Sequence, residues 1–248
     1  MPNERLRAAL FHKGLTINSF ADRIGVDPKT VERWITKDRQ PYRRTRVAVA
    51  KQLDVEETYL WPDALTKEQV VSASSSEIVT IYPHRWGVPR DAWGRLFAEA
   101  QQEIGILVYS GLFLAEDSGA QRILADRARA GVRVRILLGD PDAAQVAQRG
   151  KDEGIGESMA AKIRNVIVHY RPLLSFETVE IRLHSTVLYN SIYTADDQMF
   201  VNTHVYGVSA SNAPFWHLRK IPGGEIVSTY LDSFERVWAD AKPLPTEG

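Results

Sequence analysis

Apolar residues in the first sixty positions recur at helical spacing, and single turn-forming residues interrupt them. Leu6, Leu10 and Phe11 mark the inner face of a helix over 3–13, which Gly14 ends. Thr16 is an N-cap type, and Phe20, Ala21 and Ile24 follow on one face. Gly25 stands where a helix ends in a left-handed residue. Asp27 can cap a third helix, with Pro28 at its first position and Val31 and Trp34 as its buried stripe. After Pro41, a helix over 43–53 is predicted with Val47, Ala50 and Leu53 inward. A short helical turn through Thr58, Tyr59 and Leu60 closes at Trp61. Residues 64–69 extend it toward 70–77, which is Ser-rich, weakly patterned and reads as a linker.

From Glu77 the pattern becomes alternating strands and helices. Strands are predicted over 78–82, 104–109, 132–138 and 178–183, and helices over 91–102, 118–130, 157–174 and 226–241. The 104–109 run is almost wholly apolar, as in a sheet covered on both faces. Residues 139–156 are polar and read as a loop or broken helix, while 187–194 and 199–206 read as a hairpin about 195–198. The last helix carries Tyr230, Phe234, Val237 and Trp238 inward. Strand–helix–strand units imply parallel strands with right-handed crossovers, so the fold class is α plus α/β with a mixed sheet. The expected organisation is a five-helix domain at 1–65, a linker at 66–76 and a single α/β domain at 77–248.

Composition adds a few bounds. The 248 residues are 44% hydrophobic and 25% charged, ordinary values for a water-exposed globular chain. Without cysteine there is no disulfide, thiolate metal site or Cys nucleophile, which fits a reducing cytoplasm. No apolar leader opens the sequence and no run approaches membrane-spanning length, so no membrane partner is expected. The total charge is zero but unevenly placed: 12 Lys/Arg against 9 Asp/Glu in 1–65, and 19 against 22 beyond. From Pro28 to Lys51 the bases are Lys29, Arg33, Lys37, Arg39, Arg43, Arg44, Arg46 and Lys51, with Glu32 and Asp38 the only acids. A helix held by one face and basic on the other suits major-groove DNA, with phosphates meeting the neighbouring cations. Base contacts are assigned to Lys29, Thr30, Glu32 and Arg33, and phosphate contacts to Thr16, Arg39, Arg43 and Arg44.

Residues 5–61 resemble the Cro/C1-type (XRE family) helix–turn–helix domain of bacterial transcription regulators. The resemblance rests on Leu15-Thr16, Phe20-Ala21, Gly25-Val26, Thr30-Val31, Trp34, Pro41, and Ala50 with Leu53-Asp54-Val55. It implies a five-helix fold that binds double-stranded DNA as a dimer. Ile17-Asn18 stand where the family often has Gln after the Thr, and Ile35 replaces a frequent Glu, so the family's base contacts do not carry over directly.

The densest polar cluster follows the strand ending at Leu183: Arg182, His184, Ser185, Thr186, Tyr189, Asn190 and Ser191, with Asn202, His204 and Tyr206 on the returning strand. Strand ends of an open α/β sheet are where ligands bind. Alternation sets His184, Thr186, Leu188 and Asn190 on one face. Residues 78–240 resemble one copy of the phospholipase D domain, whose His-x-Lys-x4-Asp motif would begin at His184. Thr186 then replaces the Lys that binds the phosphoryl group and Ser191 the Asp that orients His. The resemblance implies a cleft shared by two copies, hence a homodimer. His184 is catalytic only if the chain is a phosphodiesterase or nuclease; the plainer reading is a hydrogen-bonded histidine at a strand end. His204 reads as structural, no metal or other cofactor is expected, and Trp216 to Lys220 reads as a lid or a solvated loop.

Together these point to a cytoplasmic bacterial transcription regulator. The body would dimerise and could sense a phosphate-bearing or other small anion through Arg182, His184, Tyr189, Asn190 and His204. The alternatives are a DNA-directed phosphodiesterase and a pure protein-docking module.

Overall fold

The protein's computed structural model describes residues 3–37, 39–61 and 67–245. The chain divides into two compact units, one of 1–76 with 221–225 and one of 77–220 with 226–248.

In the first unit α1 (Glu4–His12), α2 (Ile17–Ile24), α3 (Pro28–Thr36), α4 (Arg43–Leu53) and α5 (Glu57–Leu60) surround one small core. Leu6, Phe20, Ala21, Val31, Val49, Leu53, Leu60 and Trp61 are its fully enclosed members. The starts of α1, α2 and α3 are each held by a side chain. Asn3 accepts from the Leu6 amide and donates to the Leu60 carbonyl, tying the first helix to the last. Thr16 and Ser19 accept reciprocally from each other's amides, a capping box. Asp27 accepts from the Lys29 amide at 2.8 Å. Gly25 (φ 68°) makes the left-handed turn between α2 and α3, a conformation a Cβ would strain. Trp34 meets Trp61 edge to face at 6.4 Å.

The buried set differs from the expected one in three places. Phe11 is exposed. Val47 faces out, because α4 turns Arg46, Val49, Ala50 and Leu53 inward. Ile35 is buried, which explains an apolar residue after Trp34.

Residues 70–77, whose serines read as a linker, lie within α6 (Lys67–Glu77). Its Ser75 and Ser76 hydroxyls donate to the carbonyls of Val71 and Ser72, so the serines that looked like loop chemistry bond back along a helix. Of the expected helical extension over 64–69, residues 64–66 lie outside the described residues.

The second unit adds β1 (Ile78–Tyr82), α7 (Arg90–Ala98), β2 (Glu103–Leu107), α8 (Leu112–Ala115), α9 (Ser118–Arg129), β3 (Arg133–Gly139), α10 (Ala144–Asp152), α11 (Ser158–Tyr170), β4 (Val179–His184), β5 (Asn190–Ala195), β6 (Gln198–Thr203), β7 (Phe215–Arg219), α12 (Ile226–Asp240) and β8 (Lys242–Pro243). The strands form one mixed sheet in the order β1-β7-β6-β5-β2-β3-β4-β8. β2, β3 and β4 are parallel neighbours and the remaining pairs antiparallel. The sheet is thus mixed, as its α/β pattern with a hairpin required.

Both faces are covered. On one, Trp93 of α7 packs edge-on against Tyr193, Phe200 and Phe215. On the other, a side chain at Gly105 would collide with Thr194 and with the Phe234 ring of α12, so that glycine is what lets α12 seat against the central strand. Arg135 on this face pairs with Glu103 and with Glu235 of α12. The N-terminus of α12 is capped by Glu77, fully buried, whose carboxylate accepts from the amides of Ile226 at 2.7 Å and Val227 at 3.1 Å.

Two further expectations change here, while the polar stretch 139–156, read as a loop or broken helix, holds α10 between loops. Trp216 to Lys220 is neither lid nor solvated loop, because Phe215–Arg219 forms β7 between β1 and β6. Residues 185–189 leave the sheet, so the alternation expected through them does not exist. Among the described residues no helix is long and apolar enough to cross a membrane.

Candidate functional site

Two surfaces gather the residues singled out in the sequence, one in each unit.

In the first, α3 exposes Lys29, Glu32 and Arg33, with Thr30 half-buried beside them. Arg39, Arg43 and Arg44 are exposed on the segment leading into α4 and on its first turn. None of these five cations forms an ion pair among the described residues. Arg46 departs from the group. It is buried and donates to Glu57 at 2.6 Å and to the Pro41 carbonyl at 2.9 Å, so it fixes the chain's path before α4. A hollow of about 430 Å³ runs between Thr30 and Arg33 on one side and Arg39 and Tyr42 on the other. Thr16 is exposed, with its hydroxyl engaged in capping α2.

In the second unit the strand ends at β4 and β5 hold the other cluster, and the structure divides it. Arg182 points to the α12 face. It donates to Glu180 at 2.6 Å and to the Trp238 carbonyl at 2.8 Å, and its guanidinium lies 4.4 Å over the Trp238 ring. Tyr189 is 80% exposed, and Asn190 sits opposite Thr203 in the β5–β6 ladder.

His184 is 2% exposed. Its Nε2 is 3.0 Å from the Val108 carbonyl, and its Nδ1 is 3.3 Å from the Thr186 amide. A carbonyl only accepts and an amide N–H only donates, so the proton is on Nε2 and Nδ1 is the acceptor. Both ring nitrogens are therefore spent on the main chain. Burial holds the His184 pKa below the ordinary imidazole value, so the ring is neutral.

His204 follows the same logic with a different partner. Its Nδ1 donates to the Leu188 carbonyl at 3.1 Å, leaving Nε2 to accept from the Ser191 hydroxyl at 3.0 Å. Burial, reinforced by the charge of Arg149, pushes its pKa down to about 4. Tyr109 stacks on His204 with centroids 5.9 Å apart, and its hydroxyl accepts from the Leu188 amide at 3.0 Å. Leu188 is thus clamped at both its N–H and its carbonyl, which fixes the loop between β4 and β5.

Ser191, His204 and Tyr109 border a cavity of about 280 Å³, together with Arg85, Tyr193 and Lys162. Tyr193, Ser191 and His204 come from β5 and the end of β6, while Arg85 lies in a short 3-10 turn after β1. The Tyr193 hydroxyl interacts with both Arg85 and Ser191, and burial pushes its pKa up to about 12. His184 and Arg182 do not line this cavity; of the expected ligand set only His204 does. Register explains Arg182: it aligns with Leu137, hence with Leu107 and Ile192, whereas Tyr193 aligns with Ile106 on the opposite face.

The sequence matches no protein-family model and no curated protein. Among solved structures, TrmBL2, an archaeal chromatin protein, aligns over 88% of this chain and 72% of its own, with a TM-score of 0.44 and 17% identity. The phospholipase D family member Nuc from Salmonella typhimurium aligns over 67% of this chain and 97% of its own, at 0.41 and 14%. Phosphatidylserine synthase from Haemophilus influenzae Rd KW20 aligns over 66% of this chain and 39% of its own, at 0.42 and 13%.

Proposed function

We propose that this chain is a sequence-specific DNA-binding transcription regulator whose α/β body serves dimerisation and ligand sensing. The observation that carries the proposal is the row of exposed cations on α3 and the start of α4, without ion-pair partners among the described residues, around a helix whose other face is locked in a core. Cations left in solvent beside an anchored helix suit phosphate and base-edge contact. Lys29, Thr30, Glu32 and Arg33 are assigned to bases; Thr16, Arg39, Arg43 and Arg44 to phosphates.

The enzymatic alternative loses ground on geometry. A nucleophilic histidine needs a free ring lone pair, and the one lone pair of His184 accepts from the Thr186 amide. A second register of the phospholipase D spacing exists. Taking Asp196 as its acid puts Tyr189 in the His place and Ser191 in the Lys place. Asp196 caps the strand start at β2 by accepting from the amides of Gln101, Gln102 and Glu103. Either register lacks the His-Lys combination, so the body is read as a scaffold that has lost turnover.

The test is selection of duplexes from a randomised pool by the full chain, followed by fluorescence anisotropy across a salt series. The expected result is a preferred sequence in two half-sites bound by a dimer, with affinity that falls steeply with salt. No preference over random duplex would overturn the regulator reading; a monomer bound to a single site would remove the dimer.

A further inference from the structure

The cavity beside Ser191 is not closed off. Arg85, Trp86, Phe113 and Glu116 also border a second hollow, of about 630 Å³, whose other lining includes Trp93, Leu114, Ala120 and Ile123 and the Arg90–Asp117 ion pair. A polar chamber and a larger apolar chamber therefore share one wall. Arg85 is that wall. Its guanidinium lies 3.9 Å over the Phe113 ring, and it forms no ion pair among the described residues. Lys162, also half-buried in the polar chamber, has none either.

A guanidinium withdrawn from water without a carboxylate is costly unless something anionic meets it. The Tyr193 hydroxyl hydrogen-bonds to Arg85 and Glu153 attracts it through space, but neither acid bordering the polar chamber forms an ion pair with it. Glu153 is taken by Arg149, whose Nε donates to it at 2.7 Å, and Glu116 is exposed. The neutral groups are ordered around the cations. The Ser191 hydroxyl is spent on His204, and the Tyr109 oxygen accepts from Leu188, so the Tyr109 proton is available to an incoming acceptor. Next door, the exposed indole of Trp86 and the ring of Trp93 border the apolar chamber.

From these observations we infer that the two chambers form one binding site for an organic anion, with its phosphate or carboxylate on Arg85 and Lys162 and an aromatic body against Trp86 and Trp93. Arg85 is the anchor because it alone, of the four residues common to both chambers, is cationic. The polar chamber alone is too small for more than the head group of such a ligand. The inference deepens the sensing half of the proposed function and gives it a location: not the buried His184, but the opposite face of the sheet from Arg182.

The test uses the full chain without DNA and two probes, phenyl phosphate and phenylacetate, titrated by saturation-transfer NMR, with inorganic phosphate as a third arm. Saturable binding of an aromatic probe, tighter than inorganic phosphate alone, is expected. Arg85→Gln is expected to weaken it about tenfold or more, the loss of a charge-assisted hydrogen bond. Trp86→Ala, at an exposed position, tests the site without threatening the fold, and is expected to weaken the aromatic probes by a larger factor than inorganic phosphate. If Arg85→Gln does not fold, Lys162→Gln replaces it. Which of the two aromatic probes binds tighter identifies the head group. Absence of saturable binding by both, or unchanged affinity in the folded Arg85 or Lys162 variant together with Trp86→Ala, overturns the inference. DNA binding is read separately, so that failure leaves the operator experiment standing.

Discussion

His184 donates its Nε2 proton to the Val108 carbonyl at 3.0 Å, and so ties the end of β4 to the residue that follows β2. Across the parallel sheet these two strand ends flank that of β3. His184→Ala would leave the Val108 carbonyl without this donor and open a void. It is expected to lower stability by roughly 2–3 kcal/mol, read from urea midpoints. Hydrolysis of bis-p-nitrophenyl phosphate should stay at the background rate in wild type and variant alike; turnover that disappears with His184 would restore the nuclease reading.

Arg33 is exposed on α3 and unpaired among the described residues. Arg33→Ala is expected to cost roughly 1–3 kcal/mol of affinity for the selected duplex and to relax specificity at one position. Arg43→Ala should instead weaken all duplexes evenly and reduce the salt slope by about one. Identical behaviour of the two in anisotropy titrations would remove the division between base and phosphate contacts.

His204 makes stability depend on pH. Its pKa is about 4 in the folded protein against an ordinary 6.5. Between these values the unfolded chain takes up a proton that the folded chain refuses. The stabilisation is complete above pH 6.5 and is lost as pH falls toward 4. The loss amounts to roughly 2–3 kcal/mol after some solvent screening. Burial shifts His184 and His217 in the same direction, so each adds to the loss on the acid side. Denaturation curves at several pH values should show this slope, and His204→Gln should flatten it.

Asp196 holds three consecutive amides while itself in a left-handed conformation (φ 51°). Asp196→Ala loses the acceptor and suffers the backbone strain, for an expected cost of roughly 1.5–3 kcal/mol. Asp196→Asn keeps one acceptor oxygen and a residue tolerant of that conformation, so it should cost clearly less. Equal losses in calorimetry would mean that the charge alone matters.

Much of the fold was legible because apolar spacing was strong where burial was deep. The strand over 104–109 and the helix over 118–130 fall within two residues of β2 and α9, both dense in buried Ile, Leu, Val or Ala. α6 was missed because a run of serines carries no amphipathic stripe, and β7 because His217 and Arg219 break its apolar run. The cavity was half legible. His204 stood in an evident polar cluster, but Arg85 lies about a hundred residues from Ser191, in a Pro- and Gly-rich turn, and no local spacing joins them. The one signal was an Arg-Trp pair isolated in that turn.

Glu77 has a consequence for the order in which this chain can fold. Its buried carboxylate waits for amides 226 and 227, β1 waits for β7, and β4 for β8. During synthesis the helices α1 to α5 can close as soon as they emerge. The sheet behind them cannot close at either edge until nearly the whole chain has been made. The body therefore spends its assembly with β1 unpaired and a carboxylate still in water, and a nascent chain stalled before residue 226 would carry a finished helical unit ahead of an unfinished sheet.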